Sequence, residues 1–296
     1  MNEKLTKDMA KMTGLSQFTA TLHRGVYEAL TKVILDAYFS TTLLEGKSHF
    51  AFIGHFVHIP YFFSLEEAYC SVRRYDTAEV DTFSSEIFGP RTALIVVTSG
   101  DLYTKEPCNM VPIIEKAAEN KVPLHVEITP TIGLQSSLIE EDKIDSLSFM
   151  TEAIGAPLGS LLLSKKESFL DPHAVEESFY EEVREKALEV QTTFSARLLS
   201  FAKKKRLLVK KVQEKIPGFQ ELPALPSTLT GTIPHIYGEA LAFRAKLAGL
   251  PLAYHPSHPA KIALEISADM SGEKIEESAT ILAREVQALQ MIAGRP

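Results

Sequence analysis

Cysteine is nearly missing from this sequence: only Cys70 and Cys108 occur in 296 residues. That excludes a disulfide framework and any zinc site of the multi-cysteine kind, and it suits a reducing compartment, so a cytoplasmic location is expected. An excess of basic residues is missing too. With 31 Lys and Arg against 38 Asp and Glu, the net charge is -7, which speaks against nucleic acid or anionic lipid as a partner, because such binding draws on clustered cations. There is no long hydrophobic run. The most apolar stretch, residues 50–63, contains His55, His58 and Pro60 and is too short to cross a bilayer as a helix. No secretory signal is expected in the polar, lysine-studded first twelve residues. What is present is ordinary globular composition, 45% hydrophobic and 23% charged, enough for one large core and a smaller second one.

From about Arg91 short β-branched runs alternate with longer amphipathic stretches, the mark of βαβ units and a largely parallel sheet. Residues 92–97 read as a buried strand, followed by the turn Thr98-Ser99-Gly100-Asp101. Residues 110–120 read as a helix with Ile113, Ile114 and Ala117 on one face. Residues 123–128 are the next strand, and 144–149 with 160–163 form a further pair around Gly155-Ala156-Pro157-Leu158-Gly159. Residues 173–215 have no internal Gly or Pro and predict one or two long helices. Beyond Pro226 the order strand, helix 238–248, short strand, strand 261–266 and helix 274–292 suits a small α+β domain. The expected division is 1–215 and 216–296.

The stretch from Asp145 to Gly159 resembles the cofactor-lysine motif of the cysteine desulfurases and their class V aminotransferase relatives, enzymes that depend on pyridoxal phosphate (PLP). In that family a strand opening on Asp runs into Ser-x-His-Lys, then Gly-Pro-x-Gly and another strand. Aligned without gaps, Ala153 stands at the Schiff-base lysine, Glu152 at the histidine before it and Met150 at the phosphate-binding serine, while Pro157 and Gly159 match. Upstream, Leu124-His125-Val126-Glu127-Ile128 resembles the strand whose aspartate pairs with the pyridine nitrogen, which puts Glu127 in that role. His58 is the nearest candidate for the ring-stacking histidine, with His55 second. The carboxy-terminal part resembles the desulfurase small domain, with Glu265 where the family has an arginine for the substrate carboxylate. The loop that should hold a catalytic cysteine reads Tyr254-His255-Pro256-Ser257-His258-Pro259. The family's amino-terminal arm and Gly-Thr phosphate loop look shortened. The resemblance therefore implies the PLP-transferase fold (fold type I), a mostly parallel large domain with a small α+β domain and a shortened amino terminus.

These differences carry chemical weight. The lysine amine both anchors the cofactor and shuttles the substrate's α-proton, so alanine removes two roles at once. Glu265 would set like charge against an amino-acid substrate. The resulting expectation is a non-catalytic relative, a binding or regulatory subunit with no catalytic residue, no metal site and no cofactor needed, PLP being the one the resemblance allows through Glu127 and His58. The resemblance also implies a homodimer, or a heterodimer with an active relative, and by analogy an iron-sulfur or sulfur-transfer setting. The alternatives are an active PLP enzyme with altered cofactor attachment, with Lys165 or Lys166 as displaced amines, and a folded product without a role. His255 and His258 read as a rigid loop rather than metal ligands, Cys108 as an inert thiol. Cys70 reads as a core residue in a helix after Ser64, with Glu67 completing a capping box.

Overall fold

The computed structural model describes residues 2–54, 62–101, 103–134, 140–165, 175–267 and 269–293. Its first half runs α1 (Asn2–Thr13), β1 (Thr19–His23), α2 (Glu28–Ala37), a π-helical turn, α3 (Leu43–Glu45), β2 (His49–Ile53), α4 (Phe62–Glu67), β3 (Ser71–Tyr75), α5 (Ser84–Ile87), β4 (Thr92–Thr98), α6 (Val111–Glu119) and β5 (Leu124–Glu127). Then follow β6 (Ser146–Met150), β7 (Ser160–Ser164), α7 (Glu177–Lys215), β8 (Gln220–Leu222), β9 (Thr228–Thr232), α8 (Gly238–Leu247), β10 (Ala253–His255), β11 (His258–Glu265) and α9 (Gly272–Ile292). The chain forms two compact units, Met1–Asp101 with Cys108–Thr192, and Leu102–Pro107 with Thr193–Pro296.

The first unit is built on a seven-stranded sheet of order β1-β7-β6-β5-β4-β2-β3. The pairings β2 with β3, β2 with β4, β4 with β5 and β5 with β6 are parallel; those of β7 with β6 and β1 are antiparallel. Alternation along each strand sorts the side chains to two faces. Ala20, Leu22, Ala51, Ile53, Ile95, Val97, Leu124, Val126, Leu147, Phe149, Leu161 and Leu163 share one core. The opposite face packs Phe50, Phe52, Leu94, Val96 and Leu162 against Ala29, Leu30, Val33 and Ile34 of α2. On β5 and β6 that second face is polar: His125, Glu127, Ser146 and Ser148 are all buried there.

The predicted elements from Arg91 onward appear with small shifts at their ends, and Ile113, Ile114 and Ala117 are the buried face of α6. Residues 177–215 are one continuous helix of 39 residues. Cys70 is buried, but it lies beyond the end of α4 and just before β3, so the helix expected to carry it stops short. A capping box does occur nearby, between Asp76 and Glu79.

The second unit has a four-stranded antiparallel sheet of order β10-β11-β9-β8. Helices α8 and α9 are joined by an ion pair between Arg244 and the buried carboxylate of Glu285. Among the described residues no helix is long and apolar enough to cross a membrane.

Candidate functional site

In open α/β sheets, ligands bind outside the carboxyl ends of the strands. In the first unit that edge gathers the ends of β1, β4, β5 and β6 and the start of β7, because β7 alone runs the other way. Glu127 ends β5 with its side chain buried. Its Oε1 accepts a hydrogen bond from the Thr129 amide at 3.2 Å and another from the Thr129 hydroxyl. The same hydroxyl accepts from the Met150 amide at 2.8 Å. One residue beyond β4, Ser99 Oγ takes a hydrogen bond from Thr131 at 2.7 Å.

Ala153 sits in the turn that follows β6. Residues 151–154 form a single 3-10 turn closed by Gly155 in the left-handed conformation at φ 80°, a geometry that glycine adopts without a side-chain clash. The Thr151 amide donates to Gly159 O at 3.0 Å and the Ala156 amide to Thr151 O at 3.2 Å, while the Thr151 hydroxyl bonds Pro157 O. Ala153 is half-buried against the core and Glu152 is exposed. Gly159 lies flush with β1 and α7: a β-carbon there would come within 2.6 Å of both His23 O and the Phe179 ring. The two residues that match the family motif thus have local physical roles of their own.

The β1–α2 junction completes this edge. Ser160 Oγ accepts from the Ala29 amide at 3.1 Å and donates to Gly25 O at 2.6 Å. The Glu28 carboxylate accepts from the Gly25 amide at 3.0 Å, placing a negative charge at the positive end of α2. Its other oxygen is 3.7 Å from Nδ1 of the buried His23. One turn along the same helix, Lys32 is buried. Beneath, His125 is hydrogen-bonded at Nδ1 to Ser146 (2.8 Å) and at Nε2 to Ser148 (2.9 Å). Burial pushes its pKa down to about 3, which keeps the ring neutral.

Of the residues singled out in the sequence, Glu127 and Ala153 belong to this edge. His58, with His55 and Lys166, lies outside the described residues. Lys165 does not reach the edge: its amide donates to Asp145 O, at the other end of β6, about 17 Å of strand away. Its ammonium lies 5.5 Å from the Phe18 ring. Cys108 is held through its amide to Ser99 O at 2.9 Å, and burial pushes its thiol up to about 11. In the second unit, Glu265 is exposed at the end of β11. Nδ1 of His255 is used by the amides of Ser257 and His258, both at 3.1 Å, so the β10–β11 turn fixes the orientation of the ring. Thr129, Thr131, Ser160 and Lys32 were not apparent from the sequence.

An aldehyde cofactor such as PLP needs an amine to hold it and a charge partner for its ring nitrogen. Glu127 supplies a carboxylate, but the turn after β6 presents the Ala153 methyl and the Met150 thioether. Among the described residues, the turn 151–159 offers no amine to anchor a pyridoxal covalently.

No protein-family model and no curated protein matches the sequence. Solved structures do match. A NifS-like protein aligns with 97% of this chain and 87% of its own at a TM-score of 0.78 and 13% identity. A NifS-like protein from Rickettsia africae ESF-5 aligns over 96% and 86% at a TM-score of 0.73 and 14% identity. A serine palmitoyltransferase from S. paucimobilis, with a bound PLP–myriocin aldimine, aligns over 98% and 77% at 0.73 and 13%. The chain has the fold of these proteins, the PLP-transferase fold with its seven-stranded, mostly parallel sheet.

Proposed function

We propose that this chain is a non-catalytic member of the PLP-transferase fold, acting as a binding or regulatory subunit. The observation that carries this reading is the methyl side chain of Ala153 at the end of the β6 turn, where the sequence resemblance puts the amine that anchors the cofactor and moves the proton. Glu265 in place of a substrate-binding arginine and the cysteine-free loop 254–259 support it. The subunit pairs with itself or with an active relative in the cytoplasm, residues 216–296 forming its small domain. Likeness to NifS-like proteins points the partner search toward sulfur transfer and iron-sulfur assembly.

The experiment is to mix purified protein with PLP, reduce with borohydride and locate pyridoxyl groups by peptide mass spectrometry. The expected result is no lysine modified in preference to the others. A stoichiometric adduct on one lysine overturns the proposal. A second reading, an active enzyme that anchors its cofactor elsewhere, draws on the burial of Lys32 one turn beyond the β1–α2 junction. An adduct on Lys32 that is lost in Lys32→Met would establish that reading instead.

A further inference from the structure

The second unit carries a groove that none of these roles uses. Its volume is about 660 Å³, the size of sites that enclose a small organic molecule. The floor is apolar, made by the buried side chains of Ile216, Ile233 and Val286. The rim is cationic: Lys215 and Arg284 line it beside the His235 ring, and none of the lining residues, all of them described, is acidic.

The charges behind the rim leave it positive. Glu276 is shared by Lys211 at 2.9 Å and Lys215 at 2.8 Å, and Glu214 lies 3.9 and 3.7 Å from Lys210 and Lys211, so three lysines face two carboxylates. On the α9 side Glu285 is shared by Arg244 at 2.8 Å and Arg284 at 2.9 Å. The Glu285 side chain is 7% exposed and that of Arg284 63%, so the carboxylate is covered while the guanidinium faces water. His235 is held at φ 63°, a left-handed conformation that costs a residue with a β-carbon on the order of 1 kcal/mol and is kept where surroundings over-determine it.

We propose that this groove binds a small amphipathic anion, with a carboxylate, sulfonate or phosphate head at the cationic rim and a short aliphatic or aromatic body on the Ile233–Val286 floor. Each part of the ligand answers a separate feature: the floor removes the ligand's apolar surface from water, and the excess of cations over the carboxylates they share selects the sign of the head.

Calorimetric titration of the full chain with octanoate at low ionic strength tests it, with octylamine and acetate separating tail from head. One octanoate per chain is expected, with octylamine and acetate each weaker by about tenfold or more, and binding that declines as salt is added. Octyl phosphate against octanoate then ranks the head groups. Gln287 is an exposed rim residue one turn from Arg284; Gln287→Glu brings a carboxylate to the rim without touching the core and is expected to weaken octanoate by about two- to fivefold at low ionic strength. Ala283→Phe fills the groove and is expected to abolish binding, with circular dichroism checking the fold. Octylamine binding as tightly as octanoate, or octanoate binding unchanged in Gln287→Glu, overturns the assignment.

Discussion

Glu127 and Met150, on adjacent parallel strands, are tied through one hydroxyl: Thr129 Oγ1 accepts from the Met150 amide at 2.8 Å and donates to Glu127 Oε1. The link joins the charged end of β5 to the start of the turn that carries Ala153. Thr129→Val removes the acceptor of a part-buried amide and a donor to a buried carboxylate together, and losses of this kind cost about 1–3 kcal/mol. Urea denaturation is expected to show that loss, and Thr129→Ser is expected to restore most of it. Equal stability of Thr129→Val and wild type would mean the bridge is not formed in solution.

The neutral His125 ring makes stability depend on pH. Its folded pKa is pushed to about 3 from an ordinary 6.5 by burial, so between these values the unfolded chain binds a proton that the folded chain does not. Stability contributed by the neutral ring is complete above pH 6.5 and falls as pH drops toward 3, by up to about 1.4 kcal/mol per pH unit. His125→Gln keeps hydrogen-bonding capacity toward Ser146 and Ser148 and removes the titration. Denaturation curves at several pH values are expected to show a shallower acid dependence for the variant. If both proteins lose stability with the same slope below pH 6.5, the ring is not the titrating group.

Those two residues also mark how far the sequence could be read. The strands β4 and β7 were legible because each is a β-branched or leucine-rich run bounded by turn residues, β5 and β6 as short apolar stretches between turn residues, and Glu127 and Ala153 stood out through the order and spacing of the motifs that carry the family resemblance. The edge strands were not. β3 is Ser71-Val72-Arg73-Arg74-Tyr75 with Arg73 and Arg74 exposed, and an edge strand tolerates such charge because only one side is paired. β1 is five residues long and pairs with β7, far along the chain, so nothing local announces it. The polar members of the site were hidden for a similar reason. Thr129, Ser148 and Ser160 are common residue types whose roles come from register: Glu127 stands opposite Ser148, and Met150 opposite Ser160.

Two glycines of the β6–β7 connection separate crowding from backbone strain. At Gly159 a β-carbon would lie 2.6 Å from the His23 carbonyl and from the Phe179 ring, whereas at Gly155 nothing lies within 4 Å but φ is 80°. Gly159→Ala must displace backbone, and overpacking of this kind costs about 1–3 kcal/mol. Gly155→Ala meets only the left-handed penalty, about 1 kcal/mol. Thermal melts are expected to place Gly159→Ala below Gly155→Ala. The reverse order would show that β1 moves aside easily, and that the close fit at the sheet edge is not a constraint.

The sulfur chemistry of the first unit can be tested directly. Burial pushes the thiol of Cys108 up to about 11 and raises that of Cys70 as well. The thiolate is the reactive form, and a rise from an ordinary pKa near 8.5 to about 11 cuts the thiolate present at neutral pH by on the order of a hundredfold. Native protein is therefore expected to react with iodoacetamide far more slowly than a free thiol, and urea is expected to restore the ordinary rate. Cys108→Ser should leave the fold intact, since the thiol is only partly buried and its place is fixed by a backbone hydrogen bond to Ser99. Rapid labelling of Cys108 in the native state would place a thiolate within reach of the Ser99–Thr131 edge. It would then make that cysteine, rather than any residue of the cysteine-free loop 254–259, the group to test for sulfur transfer.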